Sequence, residues 1–481
     1  MHNRSNQPLR SRTKIVATVG PACRSPEQLA ELVTAGVDVF RLNVAHASLD
    51  VHSETLAMIR QTSESLRRPI AVLVDLAGPK IRLGELPGGE IDCAAGAEFR
   101  FVRGEQGNAP HELGSTYDPL VDELQVGNNV MLADGTVTMV VEEKGADFAL
   151  CRVTQPGLIR SRQGVNLPGV KLSAPAMDED DRKAAVWAAE NGIDFVGLSF
   201  VRDPADVREL KVLLGDRTVP TRVIAKIEKQ EALDRLEEII AVADGIMVAR
   251  GDLGVEINVA EMPVVQKRIV ATCREYQKPV IIATQMLDSM QNSRRPTRAE
   301  ATDVANAILD GGDACMLSGE TAIGKYPREA VEMMNSIALA TEELFQDNVP
   351  LPPGEFRPEG LQPVTAAVVY GAGHVAAELD AKLIVAASHT GAAALALSMQ
   401  RNYVPVLGIS DTDEALRRMC LYWGIIPLMG MPTTSDEEML RAATTWGVRE
   451  RLITSGDRVV LVGGIGSRSG SHNRVVVHVV P

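Results

Sequence analysis

Long apolar runs, basic clusters and patterned cysteines are all missing from this 481-residue chain. No apolar run reaches the roughly 18 residues that a membrane-spanning helix needs, so none is expected. The opening MHNRSNQPLRSRTK is polar and lacks the apolar centre of a secretory leader. The six cysteines (Cys23, Cys93, Cys151, Cys273, Cys315, Cys420) are scattered without C-x-x-C spacing. They are expected to be reduced core residues of a cytoplasmic protein. A formal charge of −14 without a basic run argues against nucleic acid and membrane as partners. Any anionic substrate must then be held by locally clustered Arg and Lys, against the net field.

What is present is a balance of 45% apolar and 23% charged residues, that of a soluble globular chain. The length suggests about three domains. Short β-branched runs alternate with helical patterns: TKIVATVG (13–20) before a helix over 26–35, DVFRLNVA (38–45) before a helix over 50–67, then IAVLVDLAG (70–78). From about 83 to 170 the rhythm changes to Gly-punctuated runs that alternate apolar and polar residues. These are expected to form a small antiparallel barrel or sandwich. Alternation resumes with a helix near 178–190 and the runs DFVGLSFV, TRVIAKIE, GIMVAR, PVIIATQ and DACMLSG. Three strands before the interruption and five after it give the count of a (β/α)8 TIM barrel. The expected division is barrel (1–82), inserted β-rich cap (83–170), barrel again (171–345) and a C-terminal α/β domain (346–481) that opens with a Pro-rich linker over 346–362.

Catalysis in such a barrel sits at the C-terminal strand ends. Those ends carry Arg41, Asn43 and His46; Asp75, with Lys80 and Arg82 just beyond; Ser199; Lys226 and Glu228; Arg250 and Asp252; Thr284 and Gln285; Ser318 and Glu320. A strand buried on both faces should not end in naked charges unless something binds them. Two carboxylates, Glu228 and Asp252, with Lys226 beside them suit a hard divalent cation and a phosphoryl group in one pocket. In ARGDLGVE, Gly251 leaves room for a substrate oxygen to reach backbone N–H groups beside a metal on Asp252, and a strand-to-loop turn that needs Gly for its dihedrals is the plainer reading. A pair of structural salt bridges is the plainer reading of the charges, and a hydrogen-bonded structural group the plainer reading of His46.

Assembled, these residues resemble the pyruvate kinase family. The strongest blocks are KIEK (226–229), MVARGDLGVE (247–256), ATQMLDSM (283–290) and RPTRAEATDVANAILDGGDACMLSGETAIGKYP (295–327). The resemblance implies transfer of the phosphoryl group of phosphoenolpyruvate to ADP, giving pyruvate and ATP, by a homotetramer. It implies that Lys226 touches the transferring phosphoryl group, that Glu228 and Asp252 bind Mg²⁺ or Mn²⁺, and that Arg41 holds the phosphate. Gly251, Asp252 and Thr284 are then expected at the pyruvate carboxylate, with Thr284 near the carbon to be protonated. Asn43, His46 and Arg82 are the nucleotide-facing candidates.

The chain also departs from the family pattern. Of the monovalent-cation set, Asn43 and Asp75 remain, whereas Ala45 and Leu76 replace hydroxyl residues. Lys80 stands where potassium-independent members carry Lys, and an ammonium can supply the charge K⁺ would bring. Activity without K⁺ is therefore expected. Gln163 and Ala133 replace a Lys and an acid of the cap. In the effector loop SHTGAAA, Ser388, Thr390 and Gly391 survive while Ala392 and Ala393 remove later anchors. Two other readings stand beside this one: a metal-dependent aldolase or lyase on a related barrel, and a non-enzymatic regulatory or binding descendant.

Overall fold

The computed structural model describes residues 10–107, 109–133, 135–215, 220–345, 362–463 and 474–481. Most of the expected linker lies outside these residues. Eight parallel strands close into a barrel in chain order: Lys14–Thr18, Val39–Asn43, Ala71–Asp75, Phe195–Leu198, Arg222–Ile227, Gly245–Ala249, Val280–Ala283 and Ala314–Leu317. Strand residues alternate between two faces, which explains the composition. Val223, Ala225 and Ile227 pack outward on the helices, while Ile224 joins Val16, Val39, Leu73, Phe195, Met247 and Met316 inside the barrel. One pleat above that apolar layer, the inward positions become Thr18, Arg41, Asp75, Gly197 and Lys226, with Ser199 just past the fourth strand. A polar layer at the mouth thus follows from the period of two.

The helices begin where their caps dictate. Ser25, Asp203 and Thr297 each form a capping box, and the first two are followed by Pro at the start of the helix. Between the third and fourth barrel strands the chain forms a two-stranded and a six-stranded sheet, spanning Glu90 to Asn166, around their own apolar core. Beyond the barrel, helix Pro363–Glu378 leads into a five-stranded sheet, parallel except for its last strand, Arg474–Val479. This sheet's helices pack under the barrel: Lys14 Nζ donates to the Ile425 carbonyl at 2.6 Å. Tyr422, Leu421 and Cys420 share a core cluster with the barrel interior. Among the described residues no helix is long and apolar enough to cross a membrane.

At the barrel floor an aspartate precedes each even-numbered strand. Asp38, Asp194, Asp244 and Asp313 accept the backbone N–H of Ile15, Val72, Val223 and Val280, in the strand before, at 3.1, 2.8, 2.9 and 2.8 Å. The carboxylate completes a ladder end that would otherwise be an unpaired buried donor. Two of these aspartates also receive arginines from the C-terminal domain, Arg417 on Asp194 at 2.7 Å and Arg401 on Asp313 at 3.0 Å.

Two sequence expectations need correction. ARGDLGVE is not an open turn: Arg250–Glu256 is a short helix starting directly from the sixth strand. Glu320 does not face the mouth. It is buried and spends its carboxylate on the N–H groups of Leu287 and Ser318.

Candidate active site

Strand pairing sets the second and third strands in register, so Asn43 lies opposite Asp75 and Arg41 opposite Leu73. The Arg41 guanidinium donates through Nε to Asp75 Oδ2 at 2.7 Å and through Nη1 to Thr18 Oγ1 at 3.1 Å. Lys226 approaches the other Asp75 oxygen at 3.1 Å. Gly197 makes this possible, because a Cβ there would stand 3.1 Å from Asp75 Oδ1. Burial alone would raise the Asp75 carboxyl, but Lys226 and Arg41 overcome it and hold the group below its ordinary value.

Lys226 is 8% exposed; its ammonium donates to Ser199 Oγ at 2.7 Å and pairs with Glu228 Oε1 at 3.0 Å and Asp75 Oδ1 at 3.1 Å. Burial opposes its charge, yet Asp75 and Glu228 keep it more basic than a free lysine. The other Glu228 oxygen accepts the Phe200 N–H at 2.7 Å. Glu228 is 1% exposed, and burial raises its pKa, with the nearby Asp252 charge adding to the rise against the pull of Lys226. Lys226 and Glu228 were expected in an open cavity; they are instead packed against each other below the surface. Asp252 is the open member, half-buried and without a hydrogen-bond or ion-pair partner among the described residues.

Asp252 shares a narrow cleft of about 40 Å³ with Lys80, Phe200, Arg202, Lys229 and the cap residues Asn166 and Leu167. Lys80 is exposed and likewise lacks an ammonium partner among the described residues, so it does not join Asn43 and Asp75 in one bonded cluster. Leu76 points into the outer apolar core. A larger cleft of about 360 Å³ opens on the outer side of the barrel, lined by Gln28, Glu31, Arg328 and Glu332. Its one lining cation, Arg328, pairs with Glu332 at 2.8 Å, and its other charged lining residues, Glu31 and Glu329, are acidic, so it does not suit a phosphorylated substrate and the chemistry is assigned to the mouth.

Three residues at the same end have a left-handed backbone. Phe200, Thr284 and Gln285 have φ of 52°, 70° and 53°. For β-branched Thr284 that region is costly, of order 1–3 kcal/mol, and such cost persists where surroundings enforce it. Thr284 Oγ1 accepts the Gly251 N–H at 2.7 Å and donates to the Ala283 carbonyl at 2.6 Å, while Arg250 holds the Thr284 carbonyl at 2.9 Å. Gly251 N–H, expected to be free for substrate, is therefore engaged. Arg250 turns aside to Asp303 at 2.7 Å. Gly78 supplies the close approach beneath Phe200: a Cβ at this residue (φ 70°) would lie 2.6 Å from the ring.

Other candidates are more scattered. His46 is exposed, and its backbone N–H bonds the Asn43 carbonyl. Asn43 Oδ1 accepts the Ala45 N–H at 3.1 Å, and Arg82 donates to the Arg162 carbonyl at 3.1 Å. Gln163 accepts the Arg160 N–H, and Ala133 sits at φ 51°. In the C-terminal domain, Ser388 Oγ caps Gly391 and Ala393, and Thr390 Oγ1 caps Ala392. Sequence reasoning missed Phe200, Lys229 and Glu256, as well as the role of Asp75 as shared partner of Arg41 and Lys226.

Comparison with known proteins decides the family. A model described as pyruvate kinase, barrel domain, matches residues 10–331, and one described as pyruvate kinase, alpha/beta domain, matches 366–478. The chain belongs to the pyruvate kinase family. It is 39% identical to a pyruvate kinase of Geobacillus stearothermophilus over 476 residues, covering 98% of this chain and 81% of the relative. Identity to a Staphylococcus aureus pyruvate kinase is 38%, over 98% and 80% of the two chains. The crystal structure of a pyruvate kinase from Cryptosporidium parvum superposes with a TM-score of 0.89 at 34% identity, covering 98% of this chain and 96% of that one.

A divalent cation, which the family implies, fits the residues present. No group of three or more His, Cys, Asp or Glu is disposed around one point among the described residues. Two carboxylates plus substrate oxygens are what Mg²⁺ ordinarily uses. Asp252 is unpartnered, close enough to Glu228 to disfavour its charge, and faces the cleft.

Proposed function

We propose that the chain moves the phosphoryl group of phosphoenolpyruvate to ADP, with Mg²⁺ or Mn²⁺ held by Glu228 and Asp252, and without a requirement for K⁺. The observation that carries this reading is the mouth network: two cations, Arg41 and Lys226, share Asp75, while Asp252 stays unspent beside Glu228. Phosphoryl transfer demands positioning and charge neutralisation more than covalent chemistry. The cation, when held by Glu228 and Asp252, would supply positive charge against the anionic substrate.

Lys226 stabilises the charge that develops on the transferring group. Its ammonium already faces Ser199, Glu228 and Asp75, so one of these partners must give way to the transferring group. Glu228, whose carboxylate is also a cation ligand in this reading, is the partner able to change its bond. Arg41, anchored at Asp75, presents its remaining guanidinium edge to the phosphate. Thr284 ties the Gly251 segment to the seventh strand and aligns the carboxylate-binding edge, and its hydroxyl proton is held on the Ala283 carbonyl.

Independence from K⁺ rests on Lys80, an ammonium without a protein partner that lines the same cleft as Asp252. A coupled assay with phosphoenolpyruvate, ADP and Mg²⁺ should give kcat within about twofold with and without K⁺. A steep K⁺ requirement would overturn the assignment of Lys80.

A further inference from the structure

Lys229 and Glu256 form an ion pair that the reaction scheme above does not use. Both are packed away from water, with side-chain exposures of 9% and 2%. Lys229 directly follows Glu228 at the end of the fifth strand, and Glu256 closes the short helix that carries Asp252. The pair therefore ties together the two segments bearing the carboxylates of the mouth. The Lys229 ammonium also lies 5.9 Å from the centre of the Phe200 ring, and the Phe200 N–H is the donor that holds Glu228. The Gly169 amide, where the chain returns from the cap, lies against the Glu256 carboxylate. The second Glu256 oxygen is buried without a hydrogen-bond partner. A pair so enclosed contributes little net stability, because desolvation offsets the attraction. Its position gives it a different use.

We propose that Lys229–Glu256 is a clamp that sets the spacing of Glu228 and Asp252, so that both reach one divalent cation. These are positioning residues: although Lys229 borders the cleft, its ammonium is spent on Glu256. The proposal rests on the assignment of Glu228 and Asp252 as cation ligands. Partners that orient metal ligands from behind typically change affinity ten- to a hundredfold.

The test is Mn²⁺ binding to the metal-free full-length protein, read from the free-ion electron paramagnetic resonance signal, with circular dichroism as the check on folding. Lys229→Met should weaken Mn²⁺ binding by about ten- to a hundredfold. The double variant Lys229→Met/Glu256→Met, which leaves no stray buried charge, should weaken it to the same degree. In both, kcat should recover towards wild type at saturating Mn²⁺ while the Mn²⁺ requirement stays raised. Wild-type affinity in the double variant overturns the clamp, because a lone buried charge rather than a lost tether would then explain the single variant. Wild-type affinity in Glu228→Gln overturns the cation assignment itself, and the clamp with it. A weakened Glu228→Gln beside wild-type affinity in both Lys229 variants overturns the clamp alone.

Discussion

The floor and the mouth of this barrel carry the same kinds of charged residue and use them in opposite ways. At the floor each aspartate holds both a strand N–H and a cation. Asp194 holds the Val72 N–H, Arg60 at 3.1 Å and Arg417 at 2.7 Å, and Asp244 holds the Val223 N–H with Lys211 and Arg222 both at 3.1 Å. At the mouth Asp75, Lys226 and Glu228 are equally buried, but the network runs outward to groups with bonds to spare, Asp252 and Lys80. Burial and shifted acidity therefore do not separate structure from chemistry in this protein. Burial alone would raise the Asp244 carboxyl, but Lys211 and Arg222 overcome it and hold the group below its ordinary value, much as Lys226 and Arg41 do for Asp75. Unspent valence makes the separation.

Asp252→Asn tests that distinction with the largest effect. Removing one of two charged ligands should raise the Mg²⁺ requirement at least tenfold and lower kcat/KM by about 10²–10³. The melting temperature of the metal-free protein should hold or rise, since the Asp252 side chain pairs with nothing among the described residues and its charge disfavours that of Glu228. The floor should respond the other way. Asp194→Ala leaves Arg60, Arg417 and a strand N–H without their acceptor and should cost about 3–5 kcal/mol of stability. The KM for phosphoenolpyruvate should be unchanged in the fraction that remains folded. A variant at the floor that alters KM at constant stability would erase the comparison.

The smallest effect belongs to Asp181, which ties the helix after the cap to the loop behind the mouth by accepting the Ala77 and Gly78 N–H groups at 2.9 and 3.0 Å. Burial, then the neighbouring Asp178 charge, pushes its carboxyl up to about 6. The folded state therefore holds this proton more tightly than the unfolded chain. Stability from this group is highest at low pH and falls as pH rises from about 4 to about 6, by roughly 3 kcal/mol. Urea titrations across that window should show a flatter profile for Asp181→Asn than for wild type. Parallel profiles would remove the assignment.

Much of this was legible in the sequence, for a physical reason. β-Branched runs and helix caps are local signals, and a strand buried on both faces that ends in Lys226 and Glu228 is costly unless the charges are used. The helices over 26–35 and 50–67 match Pro26–Ala35 and Leu49–Leu66 closely. Partnerships across long separations were not legible. Nothing near Lys226 announces that it shares Asp75 with Arg41, or that Arg250 turns to Asp303. The helical form of Arg250–Glu256 was hidden because its two glycines argue locally for a turn. The floor aspartates did leave a trace: each directly precedes an even-numbered strand, at 38, 194, 244 and 313. That period shows only once the strands are counted in pairs.

Lys226 is the buried cation between the floor-like part of the network and its open edge. Lys226→Met should keep Mn²⁺ binding within a few-fold of wild type while phosphoryl transfer from phosphoenolpyruvate to ADP falls by about 10³-fold or more. Transfer at the wild-type rate in a folded, Mn²⁺-binding Lys226→Met protein would contradict it.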